Sequence, residues 1–438
     1  MTAPVQTPGT TPLGPRAPFW RNERAARFVA GNQMVVYALI GLFLLSVTRF
    51  VADTGDLTSS GTSGAMLRLA VPIGLAALGG IYAERAGVVN IGLEGMMILG
   101  TWFGAWGAWQ FGPWWGIAIG LAGGAIGGLI HAVSTVTFGV DHIISGVAIN
   151  ILGAGLARYL SVITYTPETG GGATQSPTIT EQVPSVSLPV LSGGEIFGWQ
   201  SPDLFGWFED KGWFLVSDVG GILKGFTADL SWFTIIALLL FPFTAWLLWR
   251  TRFGLRLRSC GENPYAAESL GVNVYRMKYA GVVISGAMAG LAGAFLSLVA
   301  ASLYREGQTG GRGFIGLAAM IFGNWMPFGA MAGAGLFGFA DALQLRSDEA
   351  IQALLLFVAL LAAVFALRAG FGRRMIPAAA LAVTSVGFLA WFVLSEEVPR
   401  QFVSFTPHVT TLLVLGFASQ KLRMPAADGQ PYRKGESR

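Results

Sequence analysis

Runs of about twenty apolar residues follow one another along this chain, and each is closed by arginines, acids or a tryptophan cluster. That is the length a helix needs to cross the hydrocarbon core of a bilayer. Lipid offers the backbone no hydrogen bonds, so such runs have to be helical. Only 12% of the residues are charged and 53% are hydrophobic, whereas soluble domains typically carry about a quarter charged residues. The chain is therefore predicted to be an all-α polytopic membrane protein. Spans are expected at Gln33–Val51, Met66–Ala83, Val88–Gln110, Trp114–Phe138, Ile143–Ile163, Ser231–Trp249, Tyr279–Leu303, Ile351–Leu367, Pro377–Leu394 and Phe405–Leu422. Phe314–Leu345 is broken by Asn324-Trp325-Met326-Pro327 and reads as two short segments or a re-entrant pair. The total is 10–12 membrane segments, and an even number leaves both termini in the cytoplasm.

Charge placement orients the bundle. Arg250, Arg252, Arg256, Arg258, Arg276 and Lys278 gather around one connection, marking residues 250–278 as cytoplasmic. The net charge of +4 thus reflects membrane orientation and gives no reason to expect a nucleic-acid partner. Residues 164–230 hold only Lys211 and Lys224 as cations, which predicts a long extracytoplasmic loop. Trp207, Phe208, Trp213 and Phe214 suggest short interfacial helices within it. The loop covers the outer mouth of a pathway, docks a partner, or is an insertion without a transport role; all three stay open. The expected organisation is a disordered basic tail (1–32), a first transmembrane half (33–163), the loop (164–230), a second half (231–422) and a cytoplasmic tail (423–438). The Pro/Thr-rich leader does not read as a secretory signal. The single Cys260 excludes an internal disulfide.

Two stretches carry chemistry. Within Gly79–Met97, Asn90 and Glu94 are four apart and are predicted to share a helical face. A carboxylate and an amide inside a membrane helix are costly unless they meet a partner or a water-filled path. Glu94 either lines that path or pairs with, or caps, another helix; Gly92 and Gly95 would let that helix approach. Asn150 and Asn324 are comparable intramembrane amides, and Trp102, Phe322 and Trp325 offer stacking surfaces. Amides with aromatics suit a planar base joined to a hydroxylated sugar, and a simple sugar almost as well. In the second stretch, Asn263-Pro264 predicts a helix start and Gly271 its end. This short cytoplasmic helix includes Ala266, Ala267 and Glu268 and follows Gly261-Glu262.

These stretches resemble a known family. GGIYAERAGVVNIGLEGMMILG (Gly79–Gly100), the Gly261–Val272 segment and Gly311–Trp325 continuing to Gln344 look like the signatures of the permease subunits of ABC importers for nucleosides and simple sugars. The third block is closest to the nucleoside branch. The resemblance implies a non-enzymatic permease in a bacterial inner membrane, coupled to a separate ATPase through Gly261, Glu262, Asn263, Pro264, Ala266, Ala267, Glu268 and Gly271. It also implies a second, homologous permease as heterodimer partner and an extracytoplasmic substrate-binding protein. No Gly-Lys dipeptide is present, so the chain has no phosphate-binding P-loop. It needs no cofactor of its own, and ATP belongs to the partner subunit. Ile91–Trp102 also echoes Ile315–Trp325, with the two copies expected to run in opposite directions as an inverted repeat. The alternatives are a permease for ribose-like sugars and an ion-coupled secondary transporter; the latter would leave Gly261–Val272 without a purpose.

Overall fold

The structure, a computed structural model, describes residues 33–435 apart from 197, 346, 347, 373 and 396–421. The expected N-terminal tail, Glu396-Glu397 and nearly all of the span expected from Phe405 lie outside the described residues. The helices are α1 (Gln33–Ala52), α2 (Ser60–Arg85), α3 (Leu93–Phe111), α4 (Pro113–Ala132), α5 (His142–Thr164), α6 (Leu204–Asp210), α7 (Val216–Gly225), α8 (Trp232–Arg250), α9 (Arg252–Glu262), α10 (Pro264–Ser269), α11 (Val274–Phe295), α12 (Arg312–Phe322), α13 (Pro327–Gln344), α14 (Asp348–Phe371) and α15 (Met375–Leu394). Among the described residues, seven helical segments are long and apolar enough to cross a membrane, and the chain is a multi-pass membrane protein. Among the described residues, strand is confined to the two-residue pairs Ser185–Val186 with Leu230–Ser231 and Glu195–Ile196 with Trp199–Gln200.

Between membrane helices the lipid supplies no hydrophobic drive, so close van der Waals fit has to hold them together. Glycines provide it where α3, α4 and α11 meet. A Cβ on Gly124 would lie 2.3 Å from the Gly286 carbonyl oxygen, and one on Gly100 would lie 2.2 Å from that of Gly290. The backbones touch, so nothing larger fits. α2 passes beside this trio and is buried along most of its length from Leu67 to Glu84. α15, with no buried residue, and the outward face of α5 (Ile144, Ile151, Leu152) present apolar side chains outward, as lipid contact requires.

Residues 164–230 form an ordered layer over one end of the bundle, here termed the loop end. Short helices occur there as expected, α6 and α7, and both are docked. The Asp218 carboxylate meets Arg49 Nε at 2.8 Å and accepts from Thr58 Oγ1, while Glu209 accepts from Ser60 N at 2.8 Å. α9, α10 and the C-terminal segment lie at the opposite, basic end. Replacing Gly290 by Leu should force the α3–α4–α11 contact apart, at a cost of about 1–3 kcal/mol or more. The detergent-solubilised variant should unfold at a clearly lower temperature; an unchanged midpoint would contradict this packing.

Candidate functional site

The first correction concerns the start of α3. Its run of apolar residues begins at Val88, yet the helix begins only at Leu93, and residues 88–92 are non-helical. Asn90 and Glu94 therefore do not share a helical face. Asn90 serves the turn instead. Its Oδ1 accepts from Gly92 N at 3.0 Å, and its Nδ2 donates to Ser285 Oγ of α11 at 2.8 Å. Asn150 of α5 does the same job from the other side. Its Oδ1 accepts from Gly95 N (2.7 Å), and its Nδ2 donates to the Ile91 carbonyl (3.1 Å). The first N–H groups of a helix have no partner within it. Inside a membrane, two asparagines supply what water would supply elsewhere. His131 and His142 hold the same stretch: Val89 N donates to His142 Nδ1 (3.2 Å), and His131 Nε2 lies 3.1 Å from the Val89 carbonyl.

Glu94 closes a second helix end. Its Oε1 accepts from Gly311 N at 3.0 Å and its Oε2 from Gly313 N at 2.7 Å, at the start of α12. Of the roles left open by the sequence, the geometry is that of a cap on another helix. A carboxylate there also opposes the positive end of the α12 dipole. The approach demands glycine, because a Cβ on Gly313 would lie 2.6 Å from the Glu94 Cα, and Gly311 takes φ +77°.

The depth of this junction follows from what α12 touches next. Gly316 packs on Ala76 and Ala77 of α2, Met320 on Gly80, and the following turn reaches Glu84 and Arg85 at the basic end. With 11 residues, α12 is about 16 Å long, roughly half a bilayer core. It starts in the middle of the bundle and runs to the basic end, while α3 starts beside it and runs to the loop end. Arg305–Arg312, polar and glycine-rich like a surface turn, descends from the loop end to mid-bundle. The layer holds it there. Ser176 N donates to the Tyr304 carbonyl (3.0 Å), Ile179 N to Ser302 (2.8 Å), and Glu306 N to Thr174 (2.7 Å).

Beside this descending loop is a cavity of about 230 Å³, lined by Ile98, Thr101, Ala154 and residues 304–309. A larger one of about 310 Å³ lies beneath the layer, where Arg68, Gln182, Ser185, Lys224, Ser231 and Thr234 converge. Arg68 and Gln308 were not singled out from sequence. The signals were an arginine within an apolar run and the glycine cluster at 307, 310, 311 and 313.

The expected path residues therefore separate. Asn90, Glu94 and Asn150 meet at mid-bundle. Trp102 is buried toward the loop end, donating to Ser161 Oγ (3.0 Å) and packed on Tyr165. Phe322, Asn324 and Trp325 lie at the basic end. Asn324 and Trp325 both take φ +54°, and Trp325 Nε1 donates to Glu84 Oε2 at 2.5 Å while Arg85 Nη2 donates to the Trp325 carbonyl at 3.1 Å. These two residues turn the chain from α12 into α13.

The coupling segment folds as its sequence predicts. Asn263 Oδ1 accepts from Ala266 N (3.0 Å), Pro264 opens α10, and Gly271 ends it at φ +80°. One expectation needs correction: Ala267 is 2% exposed, packed under the helix with Cys260, Val274 and Tyr432. The outward groups are Glu262, Asn263, Ala266 and, above all, Leu270, which is 83% exposed. Burial pushes the Cys260 thiol up to about 11, so it stays protonated.

Glu94→Gln tests the junction. An amide keeps one acceptor oxygen but turns an N–H₂ toward a backbone N–H, leaving a buried donor unpaired at about 1–3 kcal/mol. The variant should insert but lose thermal stability in detergent, whereas Asp, too short to reach both amides, should rescue only in part. Wild-type stability for Glu94→Gln would contradict the cap.

Comparison with known proteins agrees with this architecture. The chain matches the family described as branched-chain amino acid transport system, permease component, over residues 64–365. It is 32% identical to the guanosine ABC transporter permease protein NupQ of Bacillus subtilis over 85% of this chain and 96% of that protein. It is 33% identical to the nucleoside ABC transporter permease protein NupC of Lactococcus lactis over 85% of this chain and 96% of that one. A putative glucose ABC transporter permease protein of Haloferax volcanii, TsgC13, is 32% identical over 86% of this chain and 98% of its own length. No solved structure matches the chain significantly. The matched region runs from α2 to α14 and includes the α3–α12 junction and α10, so the chain belongs to this family of ABC transporter permease subunits.

Proposed function

We propose that this chain is the membrane-spanning subunit of an ATP-driven importer for nucleosides. The observation that carries the reading is near full-length similarity to two nucleoside permeases, with the α3–α12 junction inside the matched region. Half-helix ends at mid-membrane are where transporters commonly place substrates. Glu94 and Asn150 have their polar groups engaged by backbone, and Asn90 by backbone and the Ser285 hydroxyl, so they hold the path open rather than bind cargo. On the descending loop nearby, Gln308 Oε1 accepts from Arg305 N at 2.5 Å and leaves its Nε2 for cargo, and Thr309 lines the same cavity opposite Thr101. A nucleoside arriving from a binding protein would pass the Arg68 cavity before reaching that loop.

α10 is the segment that meets the ATPase, with Leu270 as its apolar anchor. The importer is completed by a second permease chain and an extracytoplasmic binding protein. A simple-sugar cargo is the competing reading, favoured by the similarity to the putative glucose permease. Uptake of radiolabelled guanosine by cells expressing the full transporter decides between them. Competition by other nucleosides but not by free ribose or glucose is expected; competition by sugars alone would overturn the nucleoside assignment.

Two further outcomes follow. Leu270→Asp should leave insertion intact and abolish ATP-driven uptake, and unimpaired uptake would remove α10 from the coupling interface. A cysteine placed at the exposed Gln200 should be labelled by an impermeant reagent on intact cells, because the layer faces outward; protection there with labelling at an exposed α10 position would invert the topology.

A further inference from the structure

The sequence predicts a cytoplasmic tail over residues 423–438. The segment from Leu422 to Tyr432 is folded against the basic end of the bundle. Arg423 N donates to Asn324 Oδ1 (2.7 Å), Ala426 N lies 3.4 Å from Glu262 Oε2, and Ala427 N donates to the Gly261 carbonyl (2.8 Å). Tyr432 is buried between Tyr265 of α10 and Tyr275 of α11, with ring centroids 5.4 Å from each. One segment thus touches the α12–α13 turn, the end of α9 and the underside of the coupling helix.

Its seat is unusual chemically. Asp428 is 9% exposed, and among the described residues neither carboxylate oxygen has a well-formed hydrogen bond; the neighbouring Gly429 amide acts on it only weakly. The group it faces is the buried carboxyl of Glu84. Two ionised carboxylates are both acceptors only, so they cannot satisfy one another. One proton between them turns the repulsion into a hydrogen bond.

We infer that residues 422–432 are a strap that positions the coupling helix α10, kept seated by a proton shared between Glu84 and Asp428. The positioning role rests on the importer reading; the seat itself does not. Burial and the Glu84 carboxyl hold Asp428 far above the carboxylate range, at about 9. In a released strap the group returns to about 3.9. The folded value is the higher one, so seating takes up a proton. Its stabilisation is fully present below the free value and is lost as pH rises through the seated value. Other titratable and charged groups face this seat. Lys278 of α11 donates to the Gly87 carbonyl (3.1 Å) and acts on Asp428. Arg85 and Glu262 pair at its edge, Cys260 lies beside Lys278, and His131 and His142 stand beyond Val89. An Asp428→Asn exchange removes the titration at the seat alone while keeping the shape, and its amide can donate to Glu84 at any pH.

Spin labels on cysteines replacing the exposed Gln430 and Ser269, in a chain with Cys260→Ser, report the strap-to-α10 distance without any transport assay. A single short distance at about pH 6 should broaden as pH rises past about 9, and Asp428→Asn should keep the short distance throughout. A wild-type distance that ignores pH, or an Asn variant that responds as wild type does, overturns the shared proton. In the complete transporter reconstituted with its ATPase, Tyr432→Ala should lower the nucleoside transported per ATP hydrolysed several-fold, and Tyr432→Phe should restore it. An unchanged ratio in Tyr432→Ala overturns the positioning role. If no ATPase assembles with the chain, the importer reading falls, and the label distances still decide the seat.

Discussion

A single carboxylate, Glu94 of α3, holds the start of the short helix α12 inside this protein. Its oxygens take up the Gly311 and Gly313 amides, which would otherwise stand unpaired at mid-membrane, where an unsatisfied backbone group costs several kcal/mol. Because that end is capped by a side chain from α3, α12 can begin in the bundle interior rather than at a surface. α3 in turn can begin there because Asn150 and Asn90 cap Gly95 and Gly92. Remove the caps and neither helix has a reason to start where it does.

The opposite end of α12 is fixed with equal care. Trp325 Nε1 bonds Glu84, and its carbonyl takes Arg85, so the Glu84-Arg85 pair at the end of α2 grips the α12–α13 turn. Arg85 also stacks on Trp249 of α8, as does Arg258 of α9. The half-helix is thus tied at mid-bundle to α3 and at its foot to α2, α8 and the coupling region. α9 and α10 therefore connect to the junction by a short, packed route. At the loop end, residues 174–179 hold the descending loop by backbone bonds, giving the layer a part in shaping the path.

Much of the fold was legible in the sequence. Apolar runs set the helices, sparse cations marked the layer, and Asn263-Pro264 with Gly271 bounded α10. The three membrane groups Asn90, Glu94 and Asn150 do meet. What escaped reading did so for physical reasons. Val88–Ile91 is apolar enough to pass for helix, and only the Asn90 bond to Gly92 N shows that it is not. Arg305–Arg312 is polar and glycine-rich, which reads as a surface turn; burial of its amides on Glu94 depends on a residue over two hundred positions earlier. Ala267 looked like a contact residue because its helix is exposed, although its own side faces inward. The C-terminal strap is short and polar, and its seat exists only where Glu84 and Tyr265 are brought alongside it.

The central claim is that cargo crosses at the junction of α3 and α12. A cryo-EM structure of the assembled transporter with guanosine bound tests it most directly. Density for the nucleoside should lie against Gln308, Thr309 and Thr101, with α12 starting at the Glu94 carboxylate. Nucleoside density elsewhere in the membrane with that cavity empty, or one continuous helix through residues 86–93, would contradict it.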